Sequence, residues 1–144
     1  MMNKKILVSD ALLIDYDILK FEFEATGGKE DEAGPRSDIE VKVGKTKLLD
    51  SSPDADHVLY SLTVRVVSAP ANNEPFYKCE ILVGGTFAIE NDMAQDGNVV
   101  EEALLVRGAE ELYGIARVKV ADATATSLYG SYVLPSIRIV PDKQ

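Results

Sequence analysis

Apolar and polar residues alternate along four stretches of the chain with the two-residue period of half-buried strands. Between Leu12 and Glu24 the apolar positions are Ile14, Tyr16 and Ile18, after which the phase shifts to Leu19, Phe21 and Phe23. A one-residue slip of phase inside a strand is how a β-bulge reads in sequence, so a bulged first strand is predicted. The second strand sets Ile39, Val41 and Val43 against Glu40 and Lys42, one apolar and one polar face. The third is the most regular. From His57 to Ala69, Val58, Tyr60, Leu62, Val64 and Val66 share one side, and Ser61, Thr63 and Arg65 the other. A fourth runs from Phe76 to about Ile89. The joints carry turn chemistry: GGKEDEAGPRS over Gly27 to Ser37, Asp, Ser and Pro over Asp50 to Asp56, and APANNEP over Ala69 to Pro75. Such segments offer no apolar face to a core, so four antiparallel strands are expected.

After Asn91 the period lengthens. Asn98 followed by Glu101 has the spacing of an N-cap with its capping-box acid and predicts a short helix through Leu105. A second helix is predicted from Ala109 to Leu128, where Leu112, Ala116, Val120, Ala123 and Ser127 recur every three or four residues and Glu110, Arg117 and Asp122 face outward. Residues 118–126 (VKVADATAT) also alternate strictly, and their Val and Thr content suits a strand. Both readings stand. The helix is preferred because its inner positions are small, whereas a strand leaves Lys119 and Asp122 without a reason. Gly130 is a natural stop, and the tail from Tyr132 to Val140 is apolar around Pro135. The expected class is α+β, a four-stranded antiparallel sheet with a long helix packed on one face.

Composition narrows the function classes. The 144 residues, 46% hydrophobic and 27% charged, fit one domain spanning 1–144 with its own core. Twenty-four acids against 15 Lys and Arg leave a net charge of −9, which argues against a nucleic-acid partner and allows a cationic one. A single cysteine forms no internal disulfide, and no stretch of about 18 apolar residues offers a membrane span, so a cytoplasmic protein is expected. Ile6 to Val8 after the charged Met1 to Lys5 is cut short by Ser9 and Asp10 before it reaches signal-peptide length.

The inventory for chemistry is thin: one His, one Cys and no Trp, too few to assemble nucleophile and base pairs. His57 beside Asp54 and Asp56 suits a metal turn less well than an ordinary tight turn. Cys79 has no His or second Cys close in sequence and reads as a buried structural thiol. Gly84-Gly85 lacks the Lys-Ser/Thr of a phosphate loop and marks a bulge or a close approach of another backbone. No catalytic residue, metal or cofactor is expected. Ten aromatic residues fall on both phases of the strands. One helix layer covers one face, so part of this apolar surface should remain for association, unless the rings are ordinary core.

The fourth strand, FYKCEILVGGTFAI over Phe76 to Ile89, resembles the signature of the SecB family: an aromatic, Cys-Glu, then Gly-Gly, one residue and Phe. Asp38 to Val43, the strand after His57, Phe23-Glu24-Ala25, LYGIAR over Leu112 to Arg117, and Leu134-Pro135 with Ile137 and Ile139 follow in the family's order, so the resemblance covers about residues 12 to 140. It implies a non-enzymatic chaperone for unfolded polypeptides, a homotetramer built as a dimer of dimers with first strands and long helices at its interfaces. By position it implies a client groove of Val41, Val43, Tyr129, Tyr132, Leu134 and Ile137, and Glu24 and Glu80 as contacts for the export motor SecA. Lys20 and Lys78 depart from the motor-binding pattern, which expects an acid and an apolar residue there, and the family's final helix has no counterpart before Gln144. A chaperone dedicated to one client, such as an antitoxin, and a non-catalytic oligomerisation or scaffold module are the alternative expectations.

Overall fold

The computed structural model describes residues 11–25, 37–47, 56–70 and 77–139. The predicted loop over 27–36, most of the turn after Asp50, the connection over 71–75, Phe76 and Val140 lie outside the described residues. Four strands form one antiparallel sheet: β1 (Ala11–Ala25), β2 (Ser37–Lys47), β3 (His57–Pro70) and β4 (Tyr77–Glu90), in the spatial order β1-β4-β3-β2. β1 and β2 are therefore the edges, and the two most regular apolar patterns, β3 and β4, are central.

Register explains the burial. Val58, Tyr60, Leu62, Val64, Val66 and Ser68 of β3 are buried, as are Tyr77, Cys79, Ile81, Val83, Phe87 and Ile89 of β4. Val64 pairs with Val83 and Val66 with Ile81, and directly opposed residues share a face, so these side chains make one apolar face. β1 slips register twice against β4, between Leu13 and Asp15 and between Ile18 and Lys20. The second slip is the predicted bulge. The first has no counterpart in the expected pattern, because Leu12, Leu13 and Ile14 are all apolar and no phase change shows.

The bulges correct one expectation. Among the described residues the strand aromatics do not spread over both sheet faces: Tyr16, Phe21 and Phe23 pair with Gly85, Ile81 and Cys79, all on the same face as Tyr60, Tyr77 and Phe87. A bulge inverts the side to which the later residues point, so two opposite phases in sequence become one face in space. The large apolar side chains left exposed are mainly aliphatic: Leu12, Ile14, Leu19, Val118, Leu128 and Val133, together with Tyr16.

The apolar face is covered by a helix running from Gly97 to Thr124. It comprises α1 (Gly97–Val100), a π-helical segment (Glu101–Gly108) and α2 (Ala109–Thr124). The predicted two helices are one, since Val100, Gly108 and Ala109 at the junctions all keep right-handed helical angles. Its N-cap is Asp96, whose carboxylate accepts from the Asn98 amide at 2.9 Å, so the cap falls two residues before the predicted Asn98. Residues 118–124 are helical and α2 ends at Thr124, four residues short of Leu128. α2 packs on β3 and β4 through Leu112, Ala116 and Val120, all fully buried. A side chain at Gly85 would place its Cβ 2.9 Å from Leu112 Cδ2, and one at Gly108 would lie 3.2 Å from Leu62 Cδ2; helix and sheet touch at both glycines. Gly84 faces the other way, under Leu19. The close approach expected at Gly84-Gly85 is thus made by two side chains, one on each face. Among the described residues no helix is long and apolar enough to cross a membrane.

Candidate functional site

At one end of the sheet the helix-side face carries a chain of aromatic rings. Phe21 and Phe23 lie 5.6 Å apart by ring centroids. Phe23 meets Tyr77 edge-on at 6.0 Å. Tyr77 in turn meets Tyr129 edge-on at 5.4 Å and stacks on Tyr132 at 6.3 Å. These are favourable geometries for ring quadrupoles. Tyr77 and Tyr132 are buried, whereas Phe21, Phe23 and Tyr129 are half-buried, so the run presents a partly wet aromatic wall.

The wall is assembled from three distant parts of the sequence, and hydrogen bonds lock them. The Tyr77 hydroxyl accepts from the Tyr129 amide at 2.8 Å and donates to the Gly130 carbonyl at 2.8 Å. Gly130 has φ +75, a left-handed conformation that favours glycine, and this turn sends the tail back beside α2. There Thr124 Oγ1 accepts from the Tyr132 amide at 2.7 Å, Tyr132 shares a hydrogen bond with Ser68, the Tyr113 hydroxyl donates to the Pro135 carbonyl at 2.6 Å, and Arg117 Nε donates to the Leu134 carbonyl at 2.8 Å. Burial holds the Tyr113 hydroxyl above its ordinary pKa, so it remains a donor.

The groove residues named from the resemblance divide into two groups. Val41 and Val43 on β2, and Tyr129 and Ile137 on the tail, are half-buried against the core and keep surface for a ligand. Tyr132 and Leu134 are interior, at 6% and 0% exposure. In the single chain they anchor the tail, which the sequence does not reveal because an apolar tail residue looks the same pinned or free. Phe21, Phe23 and Tyr77 were missed as site residues. Their signal, alternation with aromatics, was present, but it only places them on a face.

β2 adds a second feature. All 11 of its residues pair with β3 without a slip, and no strand pairs with its other edge among the described residues. A straight edge of this kind leaves a row of N–H and C=O groups open to a further strand. β1, the opposite edge, is interrupted by its two bulges.

Glu24 and Glu80 lie on the sheet face away from the helix. Glu80 is bound by Lys20 Nζ at 3.0 Å and Arg65 Nη2 at 3.1 Å; the Lys20 hydrogen bond, then that of Arg65, holds its carboxyl below the usual carboxylate range. Lys20, one of the two departures from the motor-binding pattern, is therefore the partner of the acid assigned to it. Glu24 is exposed and sits across from Lys78, the second departure. Glu22, Glu24, Lys78 and Glu80 rim an open hollow of about 340 Å³. On this face cations and anions form adjacent rows: Lys20, Arg65 and Lys42 flank the level of Leu82, and Glu22 and Glu40 flank that of Glu80 and Val67.

Neither residue considered for chemistry assembles a centre. Burial pushes the Cys79 thiol up to about 11, so it stays protonated and unreactive near neutrality. His57 is exposed at the start of β3, and among the described residues no three His, Cys, Asp or Glu side chains come together as a metal site.

No protein-family model matches the chain, and no curated protein matches it in sequence. Solved structures do. The Mycobacterium tuberculosis SecB-like chaperone, in complex with a peptide from the HigA1 antitoxin, superposes with a TM-score of 0.62 at 14% identity over 88% of this chain and 87% of that one. A protein of unknown function from Streptococcus agalactiae superposes at 0.56 with 12% identity, over 90% of this chain and 99% of that one. The fold is thus SecB-like: the α+β class, the four-stranded antiparallel sheet and the long helix on one face are as expected from the sequence.

Proposed function

We propose that this protein is a SecB-like molecular chaperone that holds unfolded polypeptide segments without catalysis, working in the cytoplasm. The observation that carries the reading is the half-exposed aromatic wall of Phe21, Phe23 and Tyr129 on the face that also carries Val41 and Val43, with β2 at the far side of that face offering a straight edge that no strand pairs among the described residues. Aromatic and aliphatic side chains supply non-directional affinity for any apolar residue. A free edge supplies main-chain hydrogen bonds independent of client sequence. The two together suit a ligand defined by being extended and apolar. The likeness to a chaperone solved with a peptide in place supports this use of the fold.

The test is suppression of aggregation of a chemically unfolded protein by the purified chain, alongside titration with a labelled apolar peptide. Val41→Asp with Val43→Asp puts two charges on the β2 side of the site and should weaken peptide binding by at least about tenfold, with the circular dichroism spectrum unchanged. Undiminished binding in the double variant would remove β2 from the site, and a wild-type chain inert in both assays would remove the function.

Assembly as a homotetramer, a dimer of dimers through β1 and the long helix, belongs to the same proposal. It would cover Leu12, Ile14 and Leu19 on β1 and Val118 on α2, which a single chain leaves exposed. A second reading, a chaperone dedicated to one client, draws on the antitoxin origin of the peptide in the similar structure. It predicts tight binding of one partner and poor protection of unrelated unfolded proteins. Contact with SecA through Glu24 and Glu80 would have to compete with Lys20 and Arg65, the two cations that Glu80 serves within its own chain.

A further inference from the structure

The side of β2 that faces the helix changes character along its length. Val41, Val43, Lys45 and Lys47 pair with Val66, Val64, Leu62 and Tyr60, all buried under the helix, so these four side chains lie in line on that face. The first two are half-buried and apolar; the last two are cationic, Lys47 exposed and the Lys45 side chain 29% exposed. Lys45 reaches only to 4.0 Å from Glu101 on the helix, itself an exposed side chain. Lys47 has no ionic partner among the described residues. Lys42, the remaining lysine of β2, points to the other face and is paired with Glu40 at 3.1 Å. Among the described residues, Lys42 is thus held by a close ion pair, Lys45 by a long one and Lys47 by none, so the helix-side lysines are the more open to a ligand's charge.

We infer that Lys45 and Lys47 make β2 selective for extended segments that carry acidic side chains ahead of apolar ones. This rests on the reading of the chain as a peptide-binding chaperone and adds which peptides it takes. A segment adding to the free edge continues an all-antiparallel sheet, and antiparallel pairs are slightly the more stable per residue. Its N-terminal end then lies opposite Lys47 and its C-terminal end opposite Val41. Every second side chain points to the helix side, so a seven-residue segment meets Lys47, Lys45, Val43 and Val41 in turn with its first, third, fifth and seventh residues. The complementary pattern is acid, acid, apolar, apolar at those positions. A chain with a net charge of −9 would otherwise favour basic peptides throughout, so a preference for acids at these positions is a property of this strand and not of the bulk charge.

The experiment uses three labelled peptides with threonine at the even positions: aspartate at positions one and three with valine at five and seven, the same residues in reverse order, and the first peptide with lysine replacing aspartate. Binding to the full chain is read by fluorescence anisotropy at moderate ionic strength. The acid-first peptide should bind about fivefold more tightly than the lysine peptide, as two partly exposed ion pairs allow, and more tightly than the reversed one. Lys45→Glu with Lys47→Glu, neither of which belongs to the buried core, should reverse the acid-against-lysine preference. Equal affinities for the three peptides, a preference for the reversed order, or a preference unchanged in the charge-swapped variant would overturn the inference while leaving the chaperone reading in place. If none of the peptides binds and unfolded protein is not held either, both fall.

Discussion

The two faces of the sheet are made from the same four strands and are held by different physics. On the helix side, Leu62, Val64, Val66, Ile81, Val83 and Phe87 are fully buried, and the stabilisation is removal of apolar area from water, about 25 cal/mol per Å². On the other side the same strands present Arg65, Glu80, Ser61, Thr63 and Thr86, tied across strands by Lys20–Glu80 and Arg65–Glu80 contacts. Such pairs are weak at a wet surface. What they achieve is to partner the charges of the central strands, while Leu12 and Leu19 on the same side stay exposed in the single chain. One face therefore tolerates almost no change of shape, and the other almost any change that keeps it polar.

Adjacent glycines test that contrast most sharply. Gly85→Ala would put a methyl 2.9 Å from Leu112 Cδ2 and 3.2 Å from Phe87 Cε2, both on fully buried side chains with no room to retreat, and should cost about 1–3 kcal/mol. Gly84→Ala meets only the tip of Leu19, at 2.9 Å; that side chain is 57% exposed and can swing away, so the change should be within about 0.5 kcal/mol. The shift of the denaturation midpoint at constant slope measures both. Equal costs at the two positions would erase the distinction between the faces.

Tyr77→Phe comes next in size. It keeps the ring and its aromatic contacts but strips the Tyr129 amide and Gly130 carbonyl of a part-buried partner, for an expected loss of about 1–2 kcal/mol. The same midpoint measurement reads it, and a cost near zero would show that water replaces the hydroxyl.

The smallest effect is on the polar face. Because its folded-state pKa is lowered, Glu80 contributes stability that is present above its ordinary pKa and is lost as pH falls through the folded value. Wild type and Glu80→Gln should therefore differ slightly at neutral pH and converge in the acid range. High salt should shrink the neutral-pH difference, and a gap that persists in acid would mean that the carboxyl acts through packing.

The strands were legible in the sequence because a period of two survives translation into space unchanged. Val58 to Val66 needed nothing but alternation, and the slip at Leu19 announced its bulge. The slip at Ile14 did not, since it falls among three consecutive apolar residues and alters no visible phase. β2 extends to Lys47 beyond the predicted Val43 because pairing with β3, and not its own Gly-Lys-Thr-Lys composition, keeps it extended. The π segment over Glu101–Gly108 has no signature in the sequence. Of the candidate site, Val41, Val43, Tyr129 and Ile137 are named by the resemblance, whereas Phe21, Phe23 and Tyr77 are not, because the ring contacts that join Phe23 to Tyr77 and Tyr77 to Tyr129 span distances in sequence that no periodicity covers.

The hydroxyl of Tyr77 grips residues 52 and 53 positions further along, and Ser68 meets Tyr132 across 64. A ribosome delivers the sheet before it delivers the segment that these groups clasp. Until then Tyr77 and Ser68 lack these partners, so the tail's side of the aromatic wall closes late in synthesis, after the strands that present the rest of it.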